Sequence, residues 1–360
     1  MRVLLAAHRN EAPGIATVIR GLTTYLPSAL GAGDELLVVG SRPQGPAAAG
    51  TRVSWRPRPS GLGGRYGRFV YEQAALPLLA RSTDLVHVVD SRPLLLSARP
   101  FVITVHDLFV LDVPRWLPSS MRRFKARMLV AAVAKGPAAV VCVSHYTRER
   151  LFARVPASRN LDVRVIHPGL EPPSQSAPVP VGEPYFLTLS EINPRKNVLT
   201  LLRAFQLARR RGLKLRWKLA GPPGFRSERL VAALRSTEGV DVLGRVPDVQ
   251  REALYRGAAF MAFPSHAEGF GLPPLEAMAR GVPTVCSKGT ALDETAGEAA
   301  LRVEPEDVAG WVEALLRLER EDSLRADLVA AGRIQSQSFT VERMAAAHAD
   351  LYHDIAAGSG

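Results

Sequence analysis

Short apolar segments alternate with amphipathic segments along almost the whole chain. In the first half, six apolar segments predict buried strands, at Arg2–Ala7, Glu35–Gly40, Asp84–Val89, Phe101–His106, Ala138–Ser144 and Leu161–His167. Apolar residues at helical spacing predict helices at Gly14–Leu26, Ser119–Lys135 and His145–Arg154. Because strands that alternate with helices are typical of βαβ units, this half is predicted to form a parallel sheet.

The same alternation begins again in the second half. Strands are predicted at Tyr185–Leu189, Leu215–Ala220, Val240–Leu243, Ala258–Ala262, Pro283–Cys286 and Ala299–Val303. Helices are predicted at Asn197–Arg211, Ser227–Thr237, Val249–Gly257, Pro273–Arg280 and Glu306–Leu318. A last helical pattern, Thr340–Ile355, has no strand beside it in the sequence.

A Pro- and Ser-rich stretch without periodicity, Pro168–Pro178, separates the two halves and is interpreted as a linker. The predicted fold class is therefore α/β, with two doubly wound parallel-sheet domains. We assign residues 1–172 to an N-terminal domain, 173–340 to a C-terminal domain, and 341–360 to a helix that packs back toward the N-terminal domain. Since such sheets bind ligands at the carboxyl ends of their strands, the expected site lies in a central cleft between the domains.

Composition narrows the class of protein. Hydrophobic residues make up 47% of the chain and charged residues 22%, which is ordinary for a globular protein. No apolar run approaches the roughly 20 residues that span a bilayer, and the N-terminal apolar run is too short for a signal peptide. Two cysteines, Cys142 and Cys286, build neither a disulfide framework nor a zinc site. We therefore expect a cytoplasmic protein.

The charge is unevenly distributed. Residues 1–170 contain 23 Lys and Arg against 10 Asp and Glu, a net charge of +13, whereas the remainder carries −1. This asymmetry favours an anionic partner, such as lipid head groups, a phosphorylated substrate or nucleic acid, or else it serves solubility. No nucleic acid is expected, because aromatic residues are only 6% of the chain. One cluster, Tyr66, Phe69 and Tyr71, is interpreted as the core face of a helix.

Several familiar chemistries lack their motifs. The chain contains no GxxxxGK[ST] sequence, no GxGxxG sequence after a strand, no HExxH and no GxSxG. Hydrolysis on a P-loop, ordinary NAD chemistry and the common hydrolase triads are therefore disfavoured. The histidines other than His106 show no spacing typical of metal ligands.

One segment, Phe263–Met278, concentrates candidate chemistry directly after a predicted strand. Gly269 and Gly271 allow the backbone to approach a ligand closely. A helix that begins just after them points its free N–H groups at that ligand and favours a phosphate. Glu268 in the loop and Glu276 on the helix are expected to face one bound molecule.

Glu268 and Glu276 are separated by seven residues inside the string EGFGLPPLEAMARGVPTV. That string resembles the E-x7-E signature of retaining glycosyltransferases of glycosyltransferase family 4, which have the GT-B fold with two Rossmann-like domains. Further likeness to this family lies in Ser190–Asn197, Leu219–Gly224, Gly244–Asp248, Val102–Leu108 and Val141–Tyr146. The resemblance covers virtually the whole chain.

The resemblance implies a role for each matching residue. Arg195 and Lys196 would hold the donor diphosphate and stabilise it as it leaves, Glu276 would accept the ribose hydroxyls, and Glu268 would contact the donor sugar. His106 would reach the donor sugar from the N-terminal domain, so the catalytic set is Glu268, His106, Arg195 and Lys196. Backbone contacts to the donor are expected from Gly14, Gly221, Gly269, Phe270, Gly271 and Leu272. Asp107 either orients His106 or the acceptor, or caps the following loop.

The resemblance also implies the reaction. It would transfer a hexose from a nucleotide-sugar to a glycan or lipid-linked glycan in surface polysaccharide biosynthesis, with retention and without a cofactor or bound metal. Mannose from GDP-mannose is the first expectation, and a UDP-sugar donor stays open. A non-catalytic two-domain protein that binds anions or nucleic acid is the alternative from another class.

The candidate acceptor or membrane surface is a basic helix that follows Trp116–Pro118. Its cations are Arg122, Arg123, Lys125 and Arg127. Aromatic, apolar and basic residues together suit peripheral contact with an anionic membrane, and a solvated helix face is the other interpretation.

Overall fold

The structure, a computed structural model, describes residues 1–7, 13–42, 49–57, 64–94, 97, 99–112, 116, 119–173 and 182–358. The chain divides into two compact units. Unit 1 comprises the described residues within Met1–Pro114, Ser119–Glu171 and Phe339–Gly360. Unit 2 comprises those within Pro172–Ser338, together with Trp116.

Unit 1 contains a seven-stranded, fully parallel sheet in the order β3-β2-β1-β4-β5-β6-β7. The strands are β1 (Arg2–Ala7), β2 (Glu35–Gly40), β3 (Arg52–Arg56), β4 (Leu85–Val88), β5 (Phe101–Val105), β6 (Ala139–Cys142) and β7 (Val163–Val165). The six predicted strands are all present, two of them with the predicted bounds. The edge strand β3 was not predicted, because it is largely exposed and therefore lacks an apolar run.

Helices cover both faces of this sheet, as a doubly wound fold requires. They are α1 (Pro13–Ala29), α2 (Gly64–Leu79), α3 (Phe109–Asp112), α4 (Ser119–Ala134), α5 (His145–Arg154) and the C-terminal α13 (Val341–Ala357). The helix α2 contains the predicted aromatic cluster, in which Tyr71 is buried and Phe69 meets Phe124 of α4 edge to face at 6.1 Å.

The C-terminal helix α13 belongs to unit 1 and packs along α1. The two helices approach so closely at Gly21 that a Cβ atom there would lie 2.8 Å from the Met344 methyl carbon. The predicted linker begins against the same helix, since the Leu170 N–H donates to the Phe339 carbonyl oxygen at 2.8 Å. Residues 174–178 of that linker lie outside the described residues.

A buried polar cluster fastens α13 to the sheet. The His87 ring on β4 hydrogen-bonds to the Tyr352 hydroxyl at 2.5 Å and to the Thr104 hydroxyl at 2.8 Å, and the His348 ring stacks on it at 5.4 Å. We call these four residues the histidine cluster. Burial lowers the pKa of His87 well below its usual value and that of His348 to about 4, so both rings are neutral at pH 7.

Unit 2 contains a six-stranded parallel sheet in the order β10-β9-β8-β11-β12-β13. The strands are β8 (Tyr185–Leu189), β9 (Arg216–Ala220), β10 (Val240–Gly244), β11 (Met261–Phe263), β12 (Thr284–Ser287) and β13 (Leu301–Val303). An aromatic stack forms the centre of its core, with the Phe186 ring 5.7 Å from Trp217 and 5.1 Å from Phe260. The two sheets confirm the predicted α/β class.

The helices of unit 2 are α6 (Val198–Arg210), α7 (Glu228–Arg235), α8 (Asp248–Arg256), α9 (Leu272–Ala279), α10 (Leu292–Ala296), α11 (Val308–Arg320) and α12 (Asp322–Ser336). The helix α12 was not predicted. Few of its residues are buried, and it contacts α9 through Gly332, where a Cβ atom would lie 3.1 Å from Met278. A helix that packs through small residues leaves little apolar periodicity to detect.

Both cysteines are buried free thiols, and burial raises the pKa of each to about 12. Among the described helices, none combines the length and the apolar character needed to cross a lipid bilayer.

Candidate functional site

The site in unit 2 begins with a tight turn after β8. Residues Pro194–Lys196 form a single 3-10 turn, capped by Asn193, whose side-chain oxygen accepts a hydrogen bond from the Lys196 N–H at 3.1 Å. Asn197 then takes a left-handed conformation (φ 52°) and donates to the Pro305 carbonyl oxygen at 2.6 Å. The two asparagines therefore fix the backbone that presents Arg195 and Lys196.

Arg195 and Lys196 converge on one carboxylate oxygen. The Oε1 atom of Glu268 lies 3.1 Å from Arg195 Nη1 and 2.6 Å from Lys196 Nζ. The Lys196 ammonium also lies 4.8 Å above the ring of Phe263, at the end of β11. We call Arg195, Lys196 and Glu268 the Arg-Lys-Glu cluster.

The Arg-Lys-Glu cluster buries more positive than negative charge. Its side chains are only 19%, 11% and 10% exposed, in the order Arg195, Lys196 and Glu268. Burial lowers the pKa of Lys196 to about 8, although Glu268 opposes that change. Burial would raise the pKa of Glu268, but the charges of Lys196 and Arg195 outweigh it and hold that pKa below its usual value. At pH 7 the cluster therefore carries a net charge of +1, which suits an anionic ligand.

The loop between β11 and α9 is attached to the turn that holds Arg195. The His266 N–H donates to the Arg195 carbonyl oxygen at 2.9 Å, and Arg195 Nη1 donates to the Ala267 carbonyl oxygen at 2.7 Å. The ring of Trp116 stacks on His266 at 5.2 Å. Trp116 thus belongs to unit 2 and contacts the loop after β11, whereas Leu117 and Pro118 lie outside the described residues.

Two of the predicted donor-binding glycines are required by their surroundings. Gly271 caps α9 at φ 103°, and a Cβ atom there would lie 2.3 Å from Leu292. Gly221 follows β9 at φ 151°, and a Cβ atom there would lie 1.8 Å from the Ser190 carbonyl oxygen. Gly221 thus lets its loop run close to the Ser190 backbone, and Gly271 lets the start of α9 pack against the Leu292 side chain. On either side of Gly271, the residues Gly269, Phe270 and Leu272 are buried in the loop and the first turn of α9.

Glu276 lies on α9 with a different set of partners. Its Oε2 atom accepts a hydrogen bond from the Tyr255 hydroxyl at 2.7 Å, and Oε1 lies 3.9 Å from Arg251 Nη1. The residue is 8% exposed. The two glutamates of the motif are therefore both buried, but Glu268 is paired with two cations and Glu276 is bound chiefly to a neutral hydroxyl.

Two buried serines at the same sheet edge were not found from the sequence. Ser190 directly follows β8 and Ser287 ends β12. Among the described residues, neither hydroxyl oxygen has a hydrogen-bond partner. Their position after buried strands is the signal that would have found them, because polar residues at the carboxyl ends of parallel strands face ligands.

The candidate residues of unit 1 lie at the end of β5. His106 Nε2 donates to the Val89 carbonyl oxygen at a long 3.4 Å. Burial lowers the pKa of His106, and the charge of Lys125 on α4 contributes to that change while Asp90 and Asp107 oppose it. The Asp107 carboxylate accepts a hydrogen bond from the Phe109 N–H at 3.2 Å, so it caps the first turn of α3.

The other candidates of unit 1 are exposed, with the exception of Arg122. Gly14 lies in the first turn of α1, where a Cβ atom would contact no described residue. On α4, Arg123, Lys125 and Arg127 are exposed and Arg122 is half-buried. The structure therefore brings the Arg-Lys-Glu cluster together in unit 2, and it places His106 and Asp107 side by side in unit 1.

Two family models match consecutive parts of the chain. The model described as "Glycosyltransferase Family 4" matches residues 13–174, and the model described as "Glycosyl transferases group 1" matches residues 173–335. Their boundary coincides with the passage from unit 1 to unit 2 near Pro172.

Named relatives agree with these models. The chain is 32% identical over 257 residues to O-antigen chain mannosyltransferase B of Escherichia coli, covering 67% of each protein. It is 30% identical over 231 residues to D-inositol 3-phosphate glycosyltransferase of Arthrobacter sp. (strain FB24), covering 61% of this chain and about half (55%) of that protein. The solved structure of Anabaena HepE with UDP and glucose superposes with a TM-score of 0.73 at 17% identity, covering 98% of this chain and 100% of that one.

Proposed function

The chain belongs to glycosyltransferase family 4 and is a glycosyltransferase of the GT-B type, and from that premise we propose that it transfers mannose from GDP-mannose to a glycan acceptor with retention. The proposal assigns donor binding to unit 2. It rests above all on one observation, the buried Arg-Lys-Glu cluster and its net positive charge.

A nucleoside diphosphate fits the electrostatics of that cluster. The lowered pKa of Lys196 reflects a burial that Glu268 compensates only in part. An anion that binds beside Arg195 and Lys196 supplies the missing negative charge and gains two charge-assisted hydrogen-bond donors. The N-terminus of α9, opened by Gly271, adds backbone N–H groups with a positive dipole.

The remaining roles follow from how each carboxylate is held. Both cations bind Oε1 of Glu268, which leaves Oε2 outside the two ion pairs and directed to a sugar hydroxyl in the proposed complex. Glu276 accepts the ribose hydroxyls of the nucleotide. His106, neutral because burial lowers its pKa, contributes a hydrogen bond to the donor sugar.

The proposed chemical step uses no cofactor and no metal. The bond between the sugar C1 and the diphosphate oxygen breaks, and its electron pair leaves with the diphosphate beside Arg195 and Lys196. The acceptor hydroxyl oxygen forms the new bond to C1 on the same face of an oxocarbenium-like sugar. The acceptor proton passes to the leaving phosphate oxygen, so the step balances without a protein nucleophile.

The donor has two candidates. The likeness to O-antigen chain mannosyltransferase B supports a mannosyl donor and a surface polysaccharide or lipid-linked glycan as acceptor. The likeness to a structure that holds UDP and glucose supports a UDP-sugar as the second candidate. Hydrogen bonds to individual sugar hydroxyls decide between such donors.

A membrane-linked acceptor would explain the charge of unit 1. Arg123, Lys125 and Arg127 are exposed on α4, and the exposed Val130 lies one turn further along the same helix. Basic and apolar side chains on one helix suit the surface of an anionic bilayer. We therefore propose peripheral contact with anionic lipid through α4.

Thermal-shift measurements test the donor assignment. The protein is mixed, without added metal, with GDP-mannose, GDP, UDP-glucose, UDP-galactose, UDP-N-acetylglucosamine and UDP. A ligand at about 100 times its dissociation constant stabilises the native state by about 2.7 kcal/mol. We expect stabilisation by GDP and GDP-mannose that is lost in Arg195→Ala. Stabilisation by uridine nucleotides alone would show that the donor is a UDP-sugar and not GDP-mannose. No stabilisation by any of them would refute nucleotide-sugar binding.

Vesicle sedimentation tests the membrane contact. Wild type should bind vesicles that contain anionic lipid at low salt, and Arg123→Ala/Lys125→Ala/Arg127→Ala should bind several-fold less. The matched control is Arg203→Ala/Arg210→Ala, which removes two exposed cations from α6 of unit 2. Equal binding to neutral vesicles, or no loss in the α4 variant, would contradict the proposed contact.

A further inference from the structure

Tyr255 on α8 holds Glu276 from behind. The tyrosine is fully buried, and its hydroxyl lies 2.7 Å from Glu276 Oε2 and 3.3 Å from the Pro273 carbonyl oxygen. Since a phenol has one proton, the shorter contact identifies the carboxylate as its acceptor. Burial, and then the charge of Glu276, raise the pKa of Tyr255 well above its usual value. Tyr255 therefore keeps its proton at neutral pH and donates it in the hydrogen bond to Glu276.

The Tyr255 ring is itself held in place. The Arg280 guanidinium lies 5.1 Å from the ring centre and is ion-paired at 2.6 Å with Glu252, another buried residue of α8. Arg280 also donates to the Glu276 main-chain oxygen at 2.9 Å. Because this arrangement ties α8 to α9 on both sides of the phenol, the hydroxyl has little freedom to leave Glu276.

The two oxygens of Glu276 are left in unequal states. Oε2 accepts the phenol hydrogen bond, whereas no described residue donates a hydrogen bond to Oε1, and Arg251 Nη1 lies 3.9 Å from it. The Glu276 side chain is 11% exposed and Oε1 is not one of the fully buried atoms that lack a partner, so a ligand hydroxyl can reach this oxygen and donate a hydrogen bond to it. The Glu276 carboxylate is therefore held through Oε2, while Oε1 can accept a hydrogen bond from a ligand.

We propose that Tyr255 is a positioning residue, which orients Glu276 so that Oε1 accepts hydrogen bonds from the vicinal hydroxyls of the donor ribose. The inference rests on the proposed role of Glu276 in ribose binding. Tyr255 touches no substrate and acts only through Glu276. Without its hydroxyl, the carboxylate rotates or pairs with Arg251, and the protein loses its preference for a ribose.

The test measures that preference directly by calorimetry, with GDP and 2′,3′-dideoxy-GDP, or with the uridine pair if UDP is the nucleotide that binds. Wild type should bind the ribonucleotide more tightly by about thirtyfold, and Glu276→Gln should lose most of that ratio. Tyr255→Phe keeps the ring and removes one oxygen, and it should reduce the ratio about fivefold to tenfold while the affinity for the dideoxy nucleotide stays unchanged.

Two further variants make the result specific. Tyr185→Phe is the matched control, because it removes another buried hydroxyl of unit 2, which donates to the Leu254 carbonyl oxygen at 2.9 Å; its ratio should equal that of wild type. Tyr255→Phe/Glu276→Gln should show the ratio of Glu276→Gln alone, since the tyrosine acts through the glutamate.

The possible failures are distinguishable. A wild-type ratio near one, or a Glu276→Gln ratio equal to that of wild type, would overturn the ribose-binding role of Glu276 and the inference with it. If Glu276→Gln loses the ratio but Tyr255→Phe keeps it, only the positioning role is overturned. An equal loss of affinity for both nucleotides in Tyr255→Phe would show a purely structural tyrosine.

Discussion

Each unit of the molecule buries a cluster of titratable side chains, and the two clusters meet the cost of burial in different ways. In unit 2, the Arg-Lys-Glu cluster keeps three formal charges and a positive excess. In unit 1, the histidine cluster is neutral: the His87 ring hydrogen-bonds to the Tyr352 and Thr104 hydroxyls, and the His348 ring hydrogen-bonds to the Met344 main-chain oxygen. The histidine cluster fastens α13 to the sheet and is complete without a ligand, whereas the charged cluster has a positive excess that the proposed diphosphate would balance.

The difference indicates which cluster serves stability and which serves function. Replacing buried ion pairs by apolar groups of similar volume is often neutral or stabilising, so an incompletely compensated charge is not retained for stability. A neutral buried hydrogen bond, by contrast, contributes about 1 kcal/mol to the free energy of unfolding. Substitutions in the Arg-Lys-Glu cluster should therefore cost activity, and substitutions in the histidine cluster should cost stability.

The largest effect is expected when all three charges of the Arg-Lys-Glu cluster are removed. In Arg195→Met/Lys196→Met/Glu268→Gln, the transfer rate should fall by roughly 10³-fold or more, because the leaving diphosphate loses its donors. The free energy of unfolding should stay equal or rise, because the cluster then contains no buried charge. Transfer assays and denaturant unfolding measure the two quantities, and retained transfer or a large loss of stability would contradict the comparison.

Acid should break the histidine cluster. The folded-state pKa of His348, about 4, lies below its unfolded value of about 6.5, so the unfolded state binds the extra proton first. Stability should therefore be complete above pH 6.5 and fall by about 3 kcal/mol as the pH approaches 4. Urea unfolding at several pH values, with hydrogen exchange in α13, measures this loss.

The control for the acid experiment is His348→Gln, which keeps a donor for the Met344 carbonyl oxygen but does not titrate. Its unfolding free energy should depend less steeply on pH between 6.5 and 4. Equal pH dependence in this variant and wild type would exclude His348 as the titrating group.

Raising the pH should weaken nucleotide binding by the Arg-Lys-Glu cluster. Lys196 has a pKa of about 8 and binds an anion only when protonated, so nucleotide affinity should fall about tenfold between pH 7 and pH 9. The diphosphate only becomes more negative as the pH rises, so its own titration opposes the predicted fall and does not cause it. In Lys196→Arg, which stays charged, the affinity should remain level, and a parallel fall would assign the titration to another group.

The smallest expected effect concerns one hydroxyl of unit 1. Tyr352→Phe removes the hydrogen bond to His87 and should lower the free energy of unfolding by about 1 kcal/mol. Nucleotide affinity should not change, since the substitution lies in the other unit. A change in nucleotide affinity without a change in the free energy of unfolding would contradict the assignment of the histidine cluster to stability.

Much of the fold was accessible from the sequence, because buried parallel strands are continuous apolar runs. The strands Arg2–Ala7 and Tyr185–Leu189 have the bounds that the pattern predicts. The pattern did not predict the edge strand Arg52–Arg56, because it is exposed, or the helix Asp322–Ser336, because it packs through small residues. Periodicity detects burial, so elements with little burial are invisible to it.

The site was accessible only where one local motif holds it. Glu268 and Glu276 were found through the string that contains them. Tyr255 lies 21 positions before Glu276 in the sequence and meets it through the packing of α8 on α9, which no spacing rule reveals. The stacking of Trp116 on His266 was not found from the sequence for the same reason, since it is a tertiary contact.

The most direct test of the central claim compares GDP with GMP by calorimetry at pH 7. If the Arg-Lys-Glu cluster holds the diphosphate, wild type should bind GDP at least about tenfold more tightly than GMP, and Arg195→Ala/Lys196→Ala should bind the two nucleotides almost equally. The control Arg203→Ala/Arg210→Ala, which also removes two positive charges from unit 2, should keep the wild-type ratio. A ratio that survives in the cluster variant, or that falls equally in the control, would contradict the account.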